Sequence, residues 1–178
     1  MRRRLLCFIT LAIVVSMIAP AGEGQVSDRT TARIQKEVLH ELTMLPFLTV
    51  FDNLAFKVEG DKVVLLGQVV NPVNKIDAEK AIKGIEGVEQ VDNRIEVLPV
   101  SPMDDRLRRA LLRAIYGFAP LQKYDMGVIK PIRIIVKNGH VTLEGIVDSQ
   151  TDKDSAGLRA NSVPGIFSVT NNLRVAKS

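Results

Sequence analysis

Few residues in this chain are of a type that does bond-making chemistry. His40 and His140 are the only imidazoles, and Cys7 is the only thiol. A zinc site needs three or four nitrogen, sulfur or carboxylate ligands converging on one point, and no spacing here supplies them. His40 falls on the polar side of a predicted helix and His140 flanks a predicted hairpin turn, so both read as solvated side chains. The glycines of "GIEGV", Gly84 to Val88, lead into a strand, whereas a phosphate loop opens a helix. No serine, histidine and acid are spaced as a nucleophilic set. Asn93 and Asn171 occupy matching places in two predicted strands, where a side chain that bonds the backbone at a bulge is the simpler role. Catalytic, metal-binding and cofactor-binding residues are therefore none, and the chain is expected not to be an enzyme.

One segment stands out for binding rather than reaction. In "DDRLRRALLRAIYGF", Asp104 to Phe118, a pitch of about 100° per residue puts Arg106, Arg109 and Arg113 on one side. Leu107, Ala110, Leu111, Ala114, Ile115 and Phe118 fall on the opposite side. Asp104 and Asp105 suit the positive N-terminal end of the helix. The three arginines either face water as an ordinary solvated ridge or meet anionic lipid headgroups. In the second case Tyr116, Phe118 or Leu121 at the helix end would add apolar insertion.

Composition bounds the partner. The chain has 178 residues and a net charge of +4. "MRRR" followed by "LLCFITLAIVVSMI" and "APA" is the pattern of a secretory signal peptide over residues 1–21. The alternative is an uncleaved N-terminal anchor, for which the apolar run is short. Cleavage removes Arg2, Arg3, Arg4 and Cys7, leaving 21 basic against 20 acidic residues. A net charge of +1 gives no global attraction to nucleic acid or membrane, and the lack of tryptophan disfavours base stacking. Without cysteine the exported chain must rest on its hydrophobic core.

What positions these residues is a duplication. A shift of 78 residues lays Val63–Val97 on Val141–Val175 without a gap, and 10 of the 35 pairs are identical. Among them are Gly67 with Gly145, Ala78 with Ala156 and Asn93 with Asn171. In each copy an amphipathic helix precedes a hairpin, turning at Gly60–Asp61 and Asn138–Gly139. A second helix and a third strand follow. Ser27 or Asp28 is the expected cap of the first helix. Gly67 and Gly145 interrupt the second strand, as a bulge or a close approach by a helix requires. The fold class is α+β: two tandem α-β-β-α-β domains, each a three-stranded mixed sheet with two helices on one face. Domain one is expected over 22–98, a linker over 99–103, and domain two over 104–178.

The order of elements, with "VVLLGQV…A…GIEGVEQVDNRIEV" and "VTLEGIV…A…VPGIFSVTNNLRV", resembles the BON domain, named for bacterial osmotically inducible and nodulation proteins. The resemblance spans nearly all of the exported chain. It implies a non-enzymatic periplasmic or envelope protein associated with phospholipid surfaces, outer-membrane integrity and osmotic or envelope stress. The alternative is a periplasmic protein-binding module, a chaperone or an adaptor to an envelope complex. That alternative rests on apolar runs such as "KVVLLGQVV" and "IRIIV", which one helical layer cannot cover on both faces. Sheet stacking or homo-oligomer formation would cover them as well. The expected partners are thus an anionic phospholipid surface or envelope proteins.

Overall fold

The computed structural model describes residues 23–127 and 129–176. The signal peptide expected over 1–21 lies outside the described residues. Each half repeats one plan. In the first, α1 (Glu23–Thr43) precedes the hairpin β1 (Asn53–Glu59) and β2 (Lys62–Val69), then α2 (Pro72–Lys83), β3 (Gln90–Asn93) and β4 (Glu96–Val97). In the second, α3 (Pro102–Tyr116) is followed by a 3-10 helix at Ala119–Asp125, β5 (Ile132–Lys137), β6 (His140–Val147), α4 (Gln150–Asn161), β7 (Ser168–Asn171) and β8 (Arg174–Val175). β1 pairs antiparallel with β2, and β3 and β4 pair parallel with β2, so the sheet is mixed as expected. The second sheet repeats these pairings.

Three details depart from the sequence reading. α1 begins at Glu23, so Ser27 and Asp28 lie within the helix rather than at its start. Pro102 and Met103 of the expected linker form the first turn of α3, which Ser101 caps by accepting from the Asp104 amide at 3.2 Å. The third strand is broken in two, because an asparagine takes over the backbone bonds at the break. Asn93 donates to the Lys75 carbonyl at 2.9 Å and accepts from the Ile95 amide at 3.2 Å. Asn171 repeats both bonds, to the Lys153 carbonyl at 2.8 Å and from the Leu173 amide at 3.3 Å. Each asparagine ties the sheet edge to the helix that crosses over it.

Gly67 and Gly145 are needed for a close approach, but by the backbone at the start of the paired strand rather than by a helix. A Cβ at Gly67 would lie 1.9 Å from the Asn53 carbonyl oxygen, and one at Gly145 would lie 1.8 Å from that of Pro131. Their φ values of 113° and 125° also fall where side chains are rarely tolerated.

Two hydrophobic cores sit between helices and sheets. Ile34, Val38, Val63, Leu65, Ala78, Ile82 and Ile95 anchor the first, and Leu111, Ile115, Ile134, Val141, Leu143, Ala156 and Leu173 the second. The cores are not independent. Val50, from the loop after α1, is buried in the second core with 9% of its surface exposed. Its carbonyl accepts from the Ile134 amide at 2.9 Å, which covers part of the free edge of β5. Arg133 donates to the Thr49 carbonyl at 2.9 Å, and Lys137 pairs with Glu96 at 2.5 Å across the two halves. Asp52 holds the crossing loop in shape, accepting from the amide and hydroxyl of Thr49 and from the Val70 amide. Val64 and Ile135, on the strand faces turned from the helices, are buried as well.

Candidate functional site

α3 is held to its own half by its polar residues as much as its apolar ones. Asp104 is buried, and its two oxygens accept from the Asn138 and Gly139 amides at 2.8 Å each. It thereby fixes the β5–β6 turn, where Asn138 and Gly139 both have positive φ. Arg108 is buried too. It donates to Asp105 at 2.6 Å and to the Val136 carbonyl at 2.7 Å, while its Nε has no partner among the described residues. This fourth arginine is structural, and the helical wheel separates it from the other three.

Arg106, Arg109 and Arg113 are exposed along the outer side of α3. Among the described residues none of them has a hydrogen-bonding or ion-pairing partner for its guanidinium. Leu107, Leu111 and Ile115 point the other way, into the second core. The ridge is therefore a row of uncommitted cations on a helix that cannot roll.

The apolar residues expected beside the ridge are placed differently. Tyr116 is buried, donates to the Ile132 carbonyl at 2.7 Å and accepts from the Ile132 amide at 3.2 Å. Burial pushes its phenol pKa well up. It belongs to the core and cannot enter a lipid layer, because extracting it would expose both bonds and the packing beneath. Leu121 is fully buried. Phe118 is half-buried, and the Arg159 guanidinium lies 3.9 Å from its ring centroid.

Arg159 and Leu158 are what the sequence reading missed. Both lie on α4, beside Phe118, and with Ser155 and Ser162 they line a shallow groove of about 300 Å³. Leu158 is 72% exposed. The repeat held a usable signal. Position 158 corresponds to Lys80 in the first copy, so the fold does not require leucine there.

The titrating groups at the other end of this half serve the fold. Asp152 is buried and accepts from Lys123, Tyr124 and Ser149. Burial pushes its carboxyl up, but the bonds from those three residues outweigh it and hold the pKa below the usual value. His40 and His140 are exposed and lie in different halves. His140 bonds Ser168 at 2.7 Å and packs against Phe167, with ring centroids 5.7 Å apart. Among the described residues no group of three His, Cys, Asp or Glu side chains is placed to hold a metal ion. No helix among them is long and apolar enough to cross a membrane.

No curated protein matches the chain. Among solved structures, the C-terminal domain of CdsD, described as the structural protein of the type III secretion system of Chlamydia trachomatis, aligns at 12% identity and a TM-score of 0.32. That alignment covers 80% of this chain and 96% of the other. A second CdsD structure aligns at 13% identity and a TM-score of 0.30, covering 82% and 94%. The BON domain model matches residues 30–99 and again 104–177, the two halves described above. The chain therefore belongs to the BON domain family, with two copies in tandem.

Proposed function

We propose that the protein is a non-enzymatic component of the bacterial envelope that lies on anionic phospholipid through the outer face of α3 and α4 and supports membrane integrity under osmotic or envelope stress. The observation that carries this reading is the row Arg106, Arg109 and Arg113. All three are exposed, free of acidic partners among the described residues, and fixed on a helix whose other side is locked into the core. Export by a cleaved signal peptide would deliver the chain to the periplasm, where such surfaces are available.

Magnitudes set the terms. Each arginine close to an anionic surface contributes about 1 kcal/mol. Arg106, Arg109, Arg113 and Arg159 together give about 4 kcal/mol, which corresponds to a dissociation constant of about 1 mM. Charge alone therefore makes a weak contact. Leu158 is the exposed side chain on this face that adds apolar insertion, with Phe118 contributing its open edge.

Flotation of residues 22–178 with liposomes tests the reading. Binding to vesicles containing phosphatidylglycerol or cardiolipin, lost on pure phosphatidylcholine and weakened by salt, is the expected result. Equal flotation on both vesicle types, or none, contradicts it.

A further inference from the structure

The first half carries a surface that the lipid reading leaves unused. Met44 is 66% exposed, Phe47 51%, Val73 38% and Ile76 65%. They lie together. The Asn74 side chain donates to the Phe47 carbonyl at 2.9 Å, which seats the loop after α1 on the first turn of α2. Met44 shares a groove of about 430 Å³ with Asp77 and Lys80. Lys80 also borders the neighbouring groove beside Ile76.

The duplicated fold provides an internal control. α2 and α4 align without a gap, and opposite Val73 and Ile76 the second copy has Thr151 and Asp154, both exposed. The domain thus folds with polar residues at these places, and its stability does not account for the apolar ones. A cluster of large exposed apolar side chains on a folded domain marks a contact surface.

Charge identifies the occupant. Asp77 and Lys80 flank the patch three residues apart on α2, and neither has an ion-pair partner among the described residues. Near them are both signs, Lys75 and Lys83 with Glu41 and Glu79, so the patch has no strong net charge to draw an anionic surface. Opposite charges at a fixed spacing on one helix are self-complementary about a two-fold axis. In an antiparallel pair of α2 helices, Lys80 of one chain meets Asp77 of the other, and the reverse.

We propose that this patch docks a second copy of the chain, making a two-fold dimer through α2 and the loop after α1. The dimer would carry two arginine faces, and the avidity of two linked contacts strengthens any surface binding of either. The dimer itself does not depend on the lipid reading.

Sedimentation equilibrium of residues 22–178, without lipid, is the test. A concentration-dependent monomer–dimer equilibrium is expected. Ile76→Asp, which copies the residue of the second half, should weaken the dimer by about tenfold or more with an unchanged circular dichroism spectrum. Asp77→Lys and Lys80→Asp should each weaken it, and the two together should restore it. Because the exported chain has no cysteine, Ile76→Cys should give disulfide-linked dimers on mild oxidation. A wild-type chain that stays monomeric at 100-micromolar concentrations (on the order of 10⁻⁴ M, where a 1 μM contact saturates) overturns the proposal. So does a dimer indifferent to Ile76→Asp. If Ile76→Asp instead reduces flotation of a strictly monomeric protein, the patch faces lipid and the dimer is refuted.

Discussion

At the scale of single residues, the two asparagines show what the sequence made legible. Their identical position in two copies predicted a backbone-bonding role, and Asn93 and Asn171 make the same pair of bonds. Asn171→Ala should cost about 1 to 3 kcal/mol in urea unfolding, since it leaves the Leu173 amide without its partner and removes the tie to the Lys153 carbonyl of α4. Tyr116 shows the opposite case. A helical wheel gives only a direction from the axis, and the end of α3 is covered by Ile132, a residue distant in sequence. Nothing local distinguishes an aromatic that is buried there from one that is presented. Asp152 was likewise silent, because its partners Lys123 and Tyr124 come from a 3-10 helix that periodicity does not detect. Its carboxyl pKa is lowered in the folded chain, so its contribution is present above the unfolded value near 3.9 and is lost as pH falls through the folded one. The stability difference between wild type and Asp152→Asn should therefore be full at pH 7 and shrink below about pH 4. A difference that stays constant down to pH 3 contradicts this.

At the scale of elements, helices and hairpins followed from periodicity and turn chemistry, while their breaks followed from tertiary contacts. Gly145 was recognisable as an interruption, but its cause is tertiary: the carbonyl of Pro131, just before β5, occupies the place of its Cβ. Gly145→Ala should destabilise by about 3 kcal/mol or more, combining overpacking with an unfavourable φ. Thermal denaturation measures it, and a shift of under a degree would show that the strand yields. α3 combines both kinds of information. Its amphipathic pattern located the arginine ridge, and the pairing of Arg108 with the Val136 carbonyl explains why four arginines on one helix divide into three outward and one inward. The adjoining Leu158 and Arg159 escaped notice because α4 has little helical amphipathicity of its own. Its role is visible only against Phe118.

At the scale of the whole molecule, the duplication read from the sequence describes the halves but not how they join. Val50 lies in the loop of one copy and is buried in the core of the other, a relation no internal repeat encodes. Val50→Ala should cost about 2 kcal/mol. It should destabilise both halves together, and the wild type should unfold in one transition, because a residue of one half completes the core of the other. Two separated transitions in wild-type urea denaturation would contradict this coupling. Val64 and Ile135, on the strand faces turned from the helices, are buried, while Ile146 on β6 is 48% exposed. On the second half, the α3–α4 face presents three arginines without partners among the described residues, and Leu158 projects from it. The measurement that tests this directly is liposome flotation of Arg106→Glu/Arg109→Glu/Arg113→Glu beside the wild type, on phosphatidylglycerol vesicles at low salt. Three reversals remove about 3 kcal/mol of attraction and add repulsion, so binding should fall by at least about 100-fold while the folded spectrum is retained. Flotation of the triple variant equal to wild type would contradict the account.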